Sequence, residues 1–209
     1  MSLHTPIYNL DQFPDVYIPS EDTFLFLDAI ESDYLYLKNL QPSIAIEIGS
    51  GSGVIISALH QLFQKSCSYF ATDINQQCCL ASKLTSTLNN THVECITMNL
   101  LHNFRKNMFD VILFNPPYVV TEPCELSGEG LNRSWAGGCN GTEITNELLQ
   151  ALPDLLSEKG ACYIVLLKEN KPLEIVKYMD ALGFKSQMIM QRKIPGEHLF
   201  VYKFCRLDF

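Results

Sequence analysis

Short apolar runs alternate along the chain with longer segments in which apolar residues recur at helical spacing. The short runs predict buried strands over 44–48, 68–72, 93–98, 109–114, 161–167, 184–190 and 199–204. The longer segments predict helices over 20–30, 54–63, 76–88, 143–156 and 172–182, with a kink or break at Pro153. Because strands that alternate with helices form a mostly parallel sheet covered on both faces, the pattern predicts an α/β, doubly wound fold.

A fold of this class binds its ligands at the carboxyl ends of the strands, so the residues that directly follow strands one to four are the expected site. One Gly- and Pro-rich segment, 116–141, shows no periodicity. A loop of that length in a compact domain is usually a binding surface or a lid. We therefore expect one domain over 1–209, in which 1–40 form an N-terminal extension and helix and 115–141 form a substrate loop.

The composition narrows the range of partners. The chain carries 15 Lys and Arg against 23 Asp and Glu, a formal net charge of −8. Because proteins that bind nucleic acid usually present a basic face, this balance favours a protein or peptide substrate and argues against direct nucleic-acid binding. We expect no membrane association, since no apolar run approaches the roughly 20 residues of a span and no signal peptide is evident.

The eight cysteines contain no C-x-x-C pair, and no histidine pair has zinc-ligand spacing. Most of these cysteines lie in apolar segments. They are expected to be reduced core residues of a cytoplasmic protein, with the nucleus left open as a second location. No metal site is predicted in the chain.

A glycine-rich loop follows the first strand, with Gly49, Gly51 and Gly53 spaced as G-x-G-x-G before a helix. Dinucleotide sites prefer G-x-G-x-x-G and P-loops need Gly-Lys-Ser/Thr, so neither pyrophosphate pattern is present. A lone loop of this kind would be an ordinary turn. Here Glu47 precedes it and favours a cofactor with an ammonium and a sulfonium, while Asp73 ends strand two and can accept both ribose hydroxyls. The combination predicts an S-adenosylmethionine site.

The most informative motif is Asn115-Pro116-Pro117-Tyr118, directly after strand four. A residue before proline is held extended, so the Asn115 side-chain oxygen and the Pro116 carbonyl form two acceptors on a stiff frame. Two acceptors match an NH2 group, and gripping both hydrogens aims the nitrogen at the sulfonium methyl. Tyr118 can stack on a planar amide or base. A Pro-Pro turn with a packed tyrosine is the structural alternative, which the position after strand four disfavours.

These residues resemble the HemK-like family of protein N5-glutamine methyltransferases. The resemblance covers nearly the whole chain and rests on stretches 19–24, 47–53, 72–75, 114–120, 135–138 with 140–141, and 168–170. It implies the seven-stranded class I S-adenosylmethionine-dependent methyltransferase fold and, as substrate, the glutamine of a Gly-Gly-Gln motif in a translation release factor. It also implies cofactor contacts at Thr23, Glu47, Gly49, Asp73, Asn99, Leu100 and Asn115.

Position 99 departs from the family pattern, since relatives more often carry Asp there. Asn99 keeps an acceptor for the adenine amino group but lacks the charge, so it is either that contact or an ordinary strand-end residue. In the substrate loop, Trp135 is either a wall of the substrate groove or a hydrophobic anchor. Arg133 can meet an acidic substrate group or simply be solvated.

The resemblance implies the short eukaryotic form, which lacks an N-terminal substrate domain and works as the catalytic subunit of a heterodimer with a small zinc-binding activator. In the family's strand order strand three is an open sheet edge, here from His92 to Met98. A partner that adds a strand there would cover its apolar residues. We therefore expect the chain to be poorly soluble alone.

Three other functions use part of the same pattern. A nucleic-acid adenine N6-methyltransferase shares Asn-Pro-Pro-Tyr, but the acidic charge and the scarcity of Lys and Arg disfavour it. A protein lysine methyltransferase is a candidate second activity, although a lysine amine presents no planar amide to Tyr118. A cofactor-binding scaffold without catalysis is disfavoured by the intact motif at 115–118.

Overall fold

The computed structural model describes residues 3–63, 66–100, 104–119, 121, 137–138 and 141–206. Its helices are α1 (Glu21–Ser32), α2 (Tyr34–Leu40), α3 (Val54–Phe63), α4 (Gln76–Leu88), α5 (Glu143–Leu155) and α6 (Pro172–Ala181). Its strands are β1 (Ile44–Ile48), β2 (Ser68–Asp73), β3 (Val93–Thr97), β4 (Phe109–Phe114), β5 (Leu156–Leu167), β6 (Lys185–Ile194) and β7 (Glu197–Cys205). The predicted alternation of strands and helices is confirmed.

All strands belong to one seven-stranded sheet with the order β3-β2-β1-β4-β5-β7-β6. The five strands from β3 to β5 run parallel, and only β7 pairs antiparallel with both of its neighbours. The order reverses between β1 and β4, which pair directly, so this is the switch point where a ligand is expected. The predicted α/β, doubly wound, mostly parallel sheet is confirmed, with β3 at one edge.

The period-two alternation of the central strands divides the core into two layers. Alternate residues such as Ala45, Val111 and Tyr163 pack with α1, α2 and α3 on one face. Their neighbours Ile46 and Ile112 pack with α5 and α6 on the other. The strands are buried on both faces, which is why their sequences are continuous apolar runs.

One helix and several element boundaries, among them the end of β6 at Ile194 instead of 190, differ from the sequence prediction. Helix α2 was missed because its seven residues bury only Leu37 and Leu40, too few for a visible period. Strand β5 begins at Leu156 rather than 161, directly after α5. Helix α5 continues through Pro153 to Leu155, so the proline does not break it; the Pro153 carbonyl accepts a hydrogen bond from Arg206 and the Asp154 carbonyl one from the backbone N–H of Asn107.

The segment before α1 crosses α4 and ends beside the carboxyl ends of the strands. The backbone N–H of Ile7 donates to Asn89 Oδ1 at 2.9 Å, and Asn89 Nδ2 donates back to the Ile7 carbonyl at 2.7 Å. Further along, Val16 packs with Cys78 and Ala81 of α4. We call residues 3–19 the N-terminal strap. None of the helices within the described ranges has the length and apolar character to cross a membrane.

Candidate active site

A cavity of about 570 Å³ opens at the carboxyl ends of β1 to β4. Its walls come from the segments that directly follow these strands, from the N-terminal strap and from the starts of α1 and β7. The predicted site residues that line it are Thr23, Glu47, Gly49, Gly51, Asp73, Asn99, Leu100, Asn115, Pro116, Pro117 and Tyr118. The structure thus brings every sequence-predicted site residue to one cavity, and their individual roles stay predictions.

The three glycines of the glycine-rich loop are required by different structural constraints. All have positive φ, at 61° for Gly49, 50° for Gly51 and 72° for Gly53, a region that other residues rarely adopt. A Cβ on Gly51 would meet nothing within 4 Å, whereas one on Gly53 would lie 2.6 Å from the Ser82 backbone. Gly53 therefore lets α3 pack closely on α4, while Gly51 leaves backbone open on the cavity wall.

Two buried carboxylates form the floor of the glycine loop. Glu47 is 2% exposed and its Oε2 accepts from the Ile56 backbone N–H at 2.9 Å. Asp73 accepts from the backbone N–H groups of Asn75 at 2.8 Å and Gly51 at 3.0 Å. Burial raises the pKa of Glu47 well above its ordinary range, with nearby Asp73 adding to the effect, and burial also raises the pKa of Asp73. A bound cation or hydroxyl donor would stabilise the ionised form of both carboxylates.

The cavity fits the S-adenosylmethionine that the sequence predicts. Its volume lies within the range of roughly 300–1,000 Å³ typical of sites for molecules of this size. The open backbone at Gly51 lets a ligand approach the N-terminus of α3, and a bound ammonium would favour the ionised form of Glu47, which lines the cavity. Asp73 lines the cavity at the end of β2, where its carboxylate can accept from a ligand hydroxyl.

The residues that follow β3, Asn99 and Leu100, differ from the buried acids at the ends of β1 and β2. Asn99 is exposed, and Leu100 has a positive φ of 46°, an uncommon conformation for a branched residue. Such strain tends to persist where the surrounding structure requires it, often at binding sites. Leu100 lines the cavity in this conformation, in line with the contact that the resemblance assigns to it.

The Asn115 side chain forms one hydrogen bond with a described residue, and this bond sets the orientation of its amide in the site. Its Nδ2 donates to Asp22 Oδ2 at 2.9 Å, across 93 residues of sequence. Its Oδ1 atom is buried and has no hydrogen-bond partner among the described residues. No described residue donates to the Pro116 carbonyl either. Buried acceptors are normally satisfied, so a free Oδ1 is what a site for an N–H donor requires.

Tyr118 is held more firmly than the motif alone suggested. Its side chain is 8% exposed and its hydroxyl is hydrogen-bonded to Asp22; burial, followed by the charges of Asp22 and Glu197, raises its pKa far above the usual range. Its carbonyl accepts from Asn170 Nδ2 at 3.0 Å. The phenol therefore stays neutral at physiological pH and acts as a wall of the cavity, not as a base.

The chain beyond the motif is tied back to it. Gly137 donates from its backbone N–H to the Val119 carbonyl at 2.8 Å, and Asn170 Nδ2 also reaches the Gly141 carbonyl at 3.2 Å. A Cβ on Gly141 would lie 2.2 Å from the Tyr118 carbonyl oxygen. Most of the predicted substrate loop, with Arg133 and Trp135, lies outside the described residues.

Sequence reasoning missed four residues at this site. Asp15, Tyr17, Asp22 and Glu197 line the same cavity, and they come from the strap, from the first turn of α1 and from the start of β7. An acid in a first helical turn usually complements the helix dipole, so Asp22 gave no separate signal. Among the described ranges, no group of three or more His, Cys, Asp or Glu side chains is placed to hold a metal ion.

Replacing Glu47 by glutamine is expected to stabilise the empty protein and to weaken cofactor binding roughly tenfold. The Ile56 bond can be kept, while the burial of a charge is removed. Because the folded pKa is raised above the ordinary 4.5, the wild type loses stability as the pH rises, and the advantage of the variant should grow above pH 4.5. Thermal unfolding from pH 4 upward and calorimetric titration with cofactor would measure both effects. A less stable variant, or unchanged cofactor affinity, would contradict this role.

Comparisons with known proteins identify relatives of the chain. The methyltransferase small domain family matches residues 28–127. The chain is 38% identical to the human methyltransferase HEMK2, covering 93% of this chain and 91% of that protein. It is 35% identical to the eRF1 methyltransferase catalytic subunit mtq2 of Schizosaccharomyces pombe, covering 98% and 96%.

One further relative and two solved structures are also similar to the chain. A putative protein N5-glutamine methyltransferase of Methanocaldococcus jannaschii is 32% identical over 93% of each chain. The fold matches Mtq2 in the E. cuniculi Mtq2–Trm112 complex with a TM-score of 0.69 at 24% identity, covering 92% of this chain and 99% of that one. It also matches a ribosomal protein L11 methylase of Lactobacillus delbrueckii with a TM-score of 0.63 at 20% identity, covering 91% and 81%. These two structures share the seven-stranded fold.

Proposed function

Because the chain belongs to the family of the HEMK2 and mtq2 methyltransferases, we propose that it transfers a methyl group to the glutamine of the Gly-Gly-Gln motif in a translation release factor. It is an S-adenosylmethionine-dependent methyltransferase, and the product is the N5-methylated side-chain amide. The release factor is named for the S. pombe relative, and the N5-glutamine chemistry for the archaeal one. A cytoplasmic location, with the nucleus left open, stays a prediction.

The observation that carries this proposal is the unpartnered Oδ1 of Asn115. A primary amide presents two N–H donors, and the Asn115 side-chain oxygen and the Pro116 carbonyl are two acceptors on adjacent residues. The half-buried setting excludes much of the water that would otherwise compete for them. A site that binds both hydrogens of an NH2 group selects a primary amide or amine over a hydroxyl or a thiol.

The chain's own residues contribute binding and alignment. S-adenosylmethionine, when bound, supplies an activated methyl group on its sulfonium. Asn115 and Pro116 hold the substrate NH2, and the buried Tyr118 ring bounds the space into which a planar amide can fit. The methyl carbon would pass from the sulfonium sulfur to the amide nitrogen, so the carbon–sulfur bond would break as the carbon–nitrogen bond forms, the neutral thioether would leave, and the excess proton on nitrogen would be released to solvent. Holding two reactants in line can lower the barrier by roughly 7–11 kcal/mol in favourable cases, so no side-chain nucleophile is required.

An adenine N6-methyltransferase is the nearest alternative with the same motif, and the charge around the cavity disfavours it. Asp15, Asp22 and Glu197 all line the cavity, and Asp22 contacts Asn115 directly. A nucleic-acid backbone brings closely spaced negative charges, and the acidic side chains that the described residues place along the cavity repel them. Burial, followed by the charges of Asp22 and Glu169, raises the pKa of Glu197, which reflects how crowded with acids this rim is.

The deciding experiment compares acceptors in parallel. The chain, its activator subunit and methyl-labelled cofactor would be incubated with a release factor, with the same factor carrying glutamate in place of the Gly-Gly-Gln glutamine, and with DNA, RNA and histones. We expect label on the intact release factor and none on the glutamate form, which keeps the shape but lacks the NH2 group. Label on nucleic acid alone, or label that persists on the glutamate form, would refute the proposal.

The activator subunit is proposed to bind at the β3 edge. Among the described residues β3 has no strand on its outer side, and it carries only one charged residue, Glu94. The opposite edge, β6, carries Lys185, Arg192 and Lys193, which is how exposed edges are usually protected from pairing. Arg192 also forms salt bridges with Glu21 and Asp28 of α1. The activator is expected to contribute the zinc site and an added strand.

The direction of the backbone groups in β3 allows a selective test of this edge. Met98 donates its N–H to the Asp73 carbonyl of β2, so by alternation the N–H of Thr97 points outward. Thr97→Pro removes that outward donor but no bond to β2, whereas Thr97→Val keeps the donor. We expect the proline variant to bind the activator at least about tenfold more weakly and the valine variant to bind normally. Equal affinities of the two variants, measured by calorimetry or by co-purification, would place the partner elsewhere.

A further inference from the structure

We propose that Asp22 is a positioning residue that fixes which end of the Asn115 side-chain amide meets the substrate. The inference rests on the proposed function, since it concerns how the acceptor for the substrate NH2 group is presented. Asp22 touches neither reacting atom in this arrangement; it acts through Asn115, and it also holds the Tyr118 hydroxyl at the cavity wall.

Both carboxylate oxygens of Asp22 are committed to specific donors. Oδ1 accepts from the Thr23 backbone N–H at 2.7 Å, which ties the carboxylate to the first turn of α1. Oδ2 accepts from Asn115 Nδ2 at 2.9 Å. The Asp22 side chain is 4% exposed, so water competes little for either oxygen.

The Asp22 carboxylate selects one of the two orientations that the Asn115 side-chain amide could adopt. The two ends of a side-chain amide are nearly the same size, and a half-turn about its last bond exchanges a donor for an acceptor. An ionised carboxylate can only accept, so it can pair with Nδ2 but not with Oδ1. The unpartnered Oδ1 of Asn115 is the direct consequence. In the reversed orientation Nδ2 would face the substrate NH2, donor against donor.

The backbone of Asn115 leaves little other freedom. Phe114 is the last residue of β4 and is paired with both neighbouring strands, while Pro116 restricts the residue before it to an extended conformation. The remaining freedom is the rotation of the amide. The Tyr17 hydroxyl, 3.4 Å from Asp22 Oδ1, adds a further donor that holds the carboxylate in position.

The test is a charge-preserving exchange between the two positions. In Asp22→Asn the new amide can keep its oxygen on the Thr23 N–H, which turns its NH2 group towards Asn115 and forces the Asn115 amide to reverse. We expect kcat for the release factor to fall about 10–100-fold, with the affinity for cofactor within about threefold. Asn115→Asp should lose at least as much, because two carboxylates then meet.

The double variant Asp22→Asn with Asn115→Asp restores a donor–acceptor pair. The amide at position 22 then donates to one oxygen of the carboxylate at position 115, and the other oxygen is free to accept from the substrate. We expect kcat at least about tenfold above that of either single variant. A residue with a merely structural role would not be rescued by its exchange with Asn115.

Asp28→Asn is the matched control, because it removes an acid from the same helix at an exposed position. It should leave kcat and the affinity for cofactor unchanged. All variants would be assayed with the activator present, alongside thermal unfolding. If Asp22→Asn alone unfolds, the exchange still decides: a double variant that folds and binds cofactor without regaining turnover overturns the proposal, as does wild-type kcat in Asp22→Asn.

The outcome is separable from that of the proposed function. If the wild type leaves the release factor unlabelled but labels another NH2-bearing acceptor, the substrate proposal fails while the exchange can be measured on that acceptor. If the wild type labels the release factor and the exchange gives no recovery, only the role of Asp22 is refuted.

Discussion

Asn115→Ala is expected to lower methyl transfer at least about 100-fold while changing cofactor affinity less than about tenfold. The substitution removes the Oδ1 acceptor, which has no other partner among the described residues, and with it the alignment of the substrate nitrogen. The loss should lie in kcat because the lost contact orients the reacting atom. Single-turnover transfer and calorimetric titration with cofactor would measure the two quantities separately.

Asn115→Ala also lowers the free energy of unfolding, and this effect has to be separated from the effect on catalysis. It leaves Asp22 Oδ2 without the Asn115 donor, and an unpaired buried carboxylate oxygen costs roughly 1–3 kcal/mol of unfolding free energy. The assays are therefore run well below the melting temperature of the variant. Transfer within about threefold of the wild-type rate would mean that the two-acceptor arrangement is not the basis of catalysis.

Gly141→Ala is expected to destabilise the protein and to displace the motif 115–118, because Gly141 packs against the Tyr118 carbonyl. Its φ of 65° is unfavourable for alanine, and the new Cβ would lie 2.2 Å from the Tyr118 carbonyl oxygen and 2.7 Å from Asn170 Nδ2. Strain and overpacking together should cost about 2–4 kcal/mol of unfolding free energy. Displacing the Tyr118 backbone by about 1 Å should also reduce kcat by about 100-fold, since the motif 115–118 is held from this side.

Gly183→Ala is the matched control for that clash. Gly183 has a φ of 85°, yet its added Cβ would meet nothing within 4 Å. It should therefore lose only about 1 kcal/mol, with normal kcat. Chemical denaturation and steady-state kinetics on both variants would test the difference. Equal stability losses would show that the conformation of Gly141, not its contact with Tyr118, determines the result.

The parts of the site that local sequence could predict are those in which one element carries the whole signal. Gly49 to Gly53 follow a strand and precede a helix, so their loop and its ligand could be inferred from adjacent residues. Asn115 is placed by the proline after it and the apolar strand before it. In both cases the backbone geometry depends on neighbours in the chain.

The parts that could not be predicted depend on contacts between distant segments. Asp22 and Asn170 reach the motif across 93 and 52 residues, and although both lie in stretches that carry the family resemblance, nothing in their local sequence indicates these contacts. Helix α2 is short, and what fixes it to the sheet is a buried network in which Asp33 accepts from Lys203 at 2.8 Å and Tyr163 at 2.7 Å. Local periodicity contains none of this information.

The wide sequence separation of these contacts has a consequence during synthesis. A ribosome that has released residue 115 has not yet made Asn170, and Lys203, which pairs with Asp33 across 170 residues, is made later still. Contacts of this span form late and slow the search for the native state. A nascent chain that stops there therefore contains the motif and Asp22 but not Asn170, which donates to the Tyr118 and Gly141 carbonyls. Such a chain should be inert towards its target, so unfinished copies would not methylate proteins indiscriminately while they await completion or degradation.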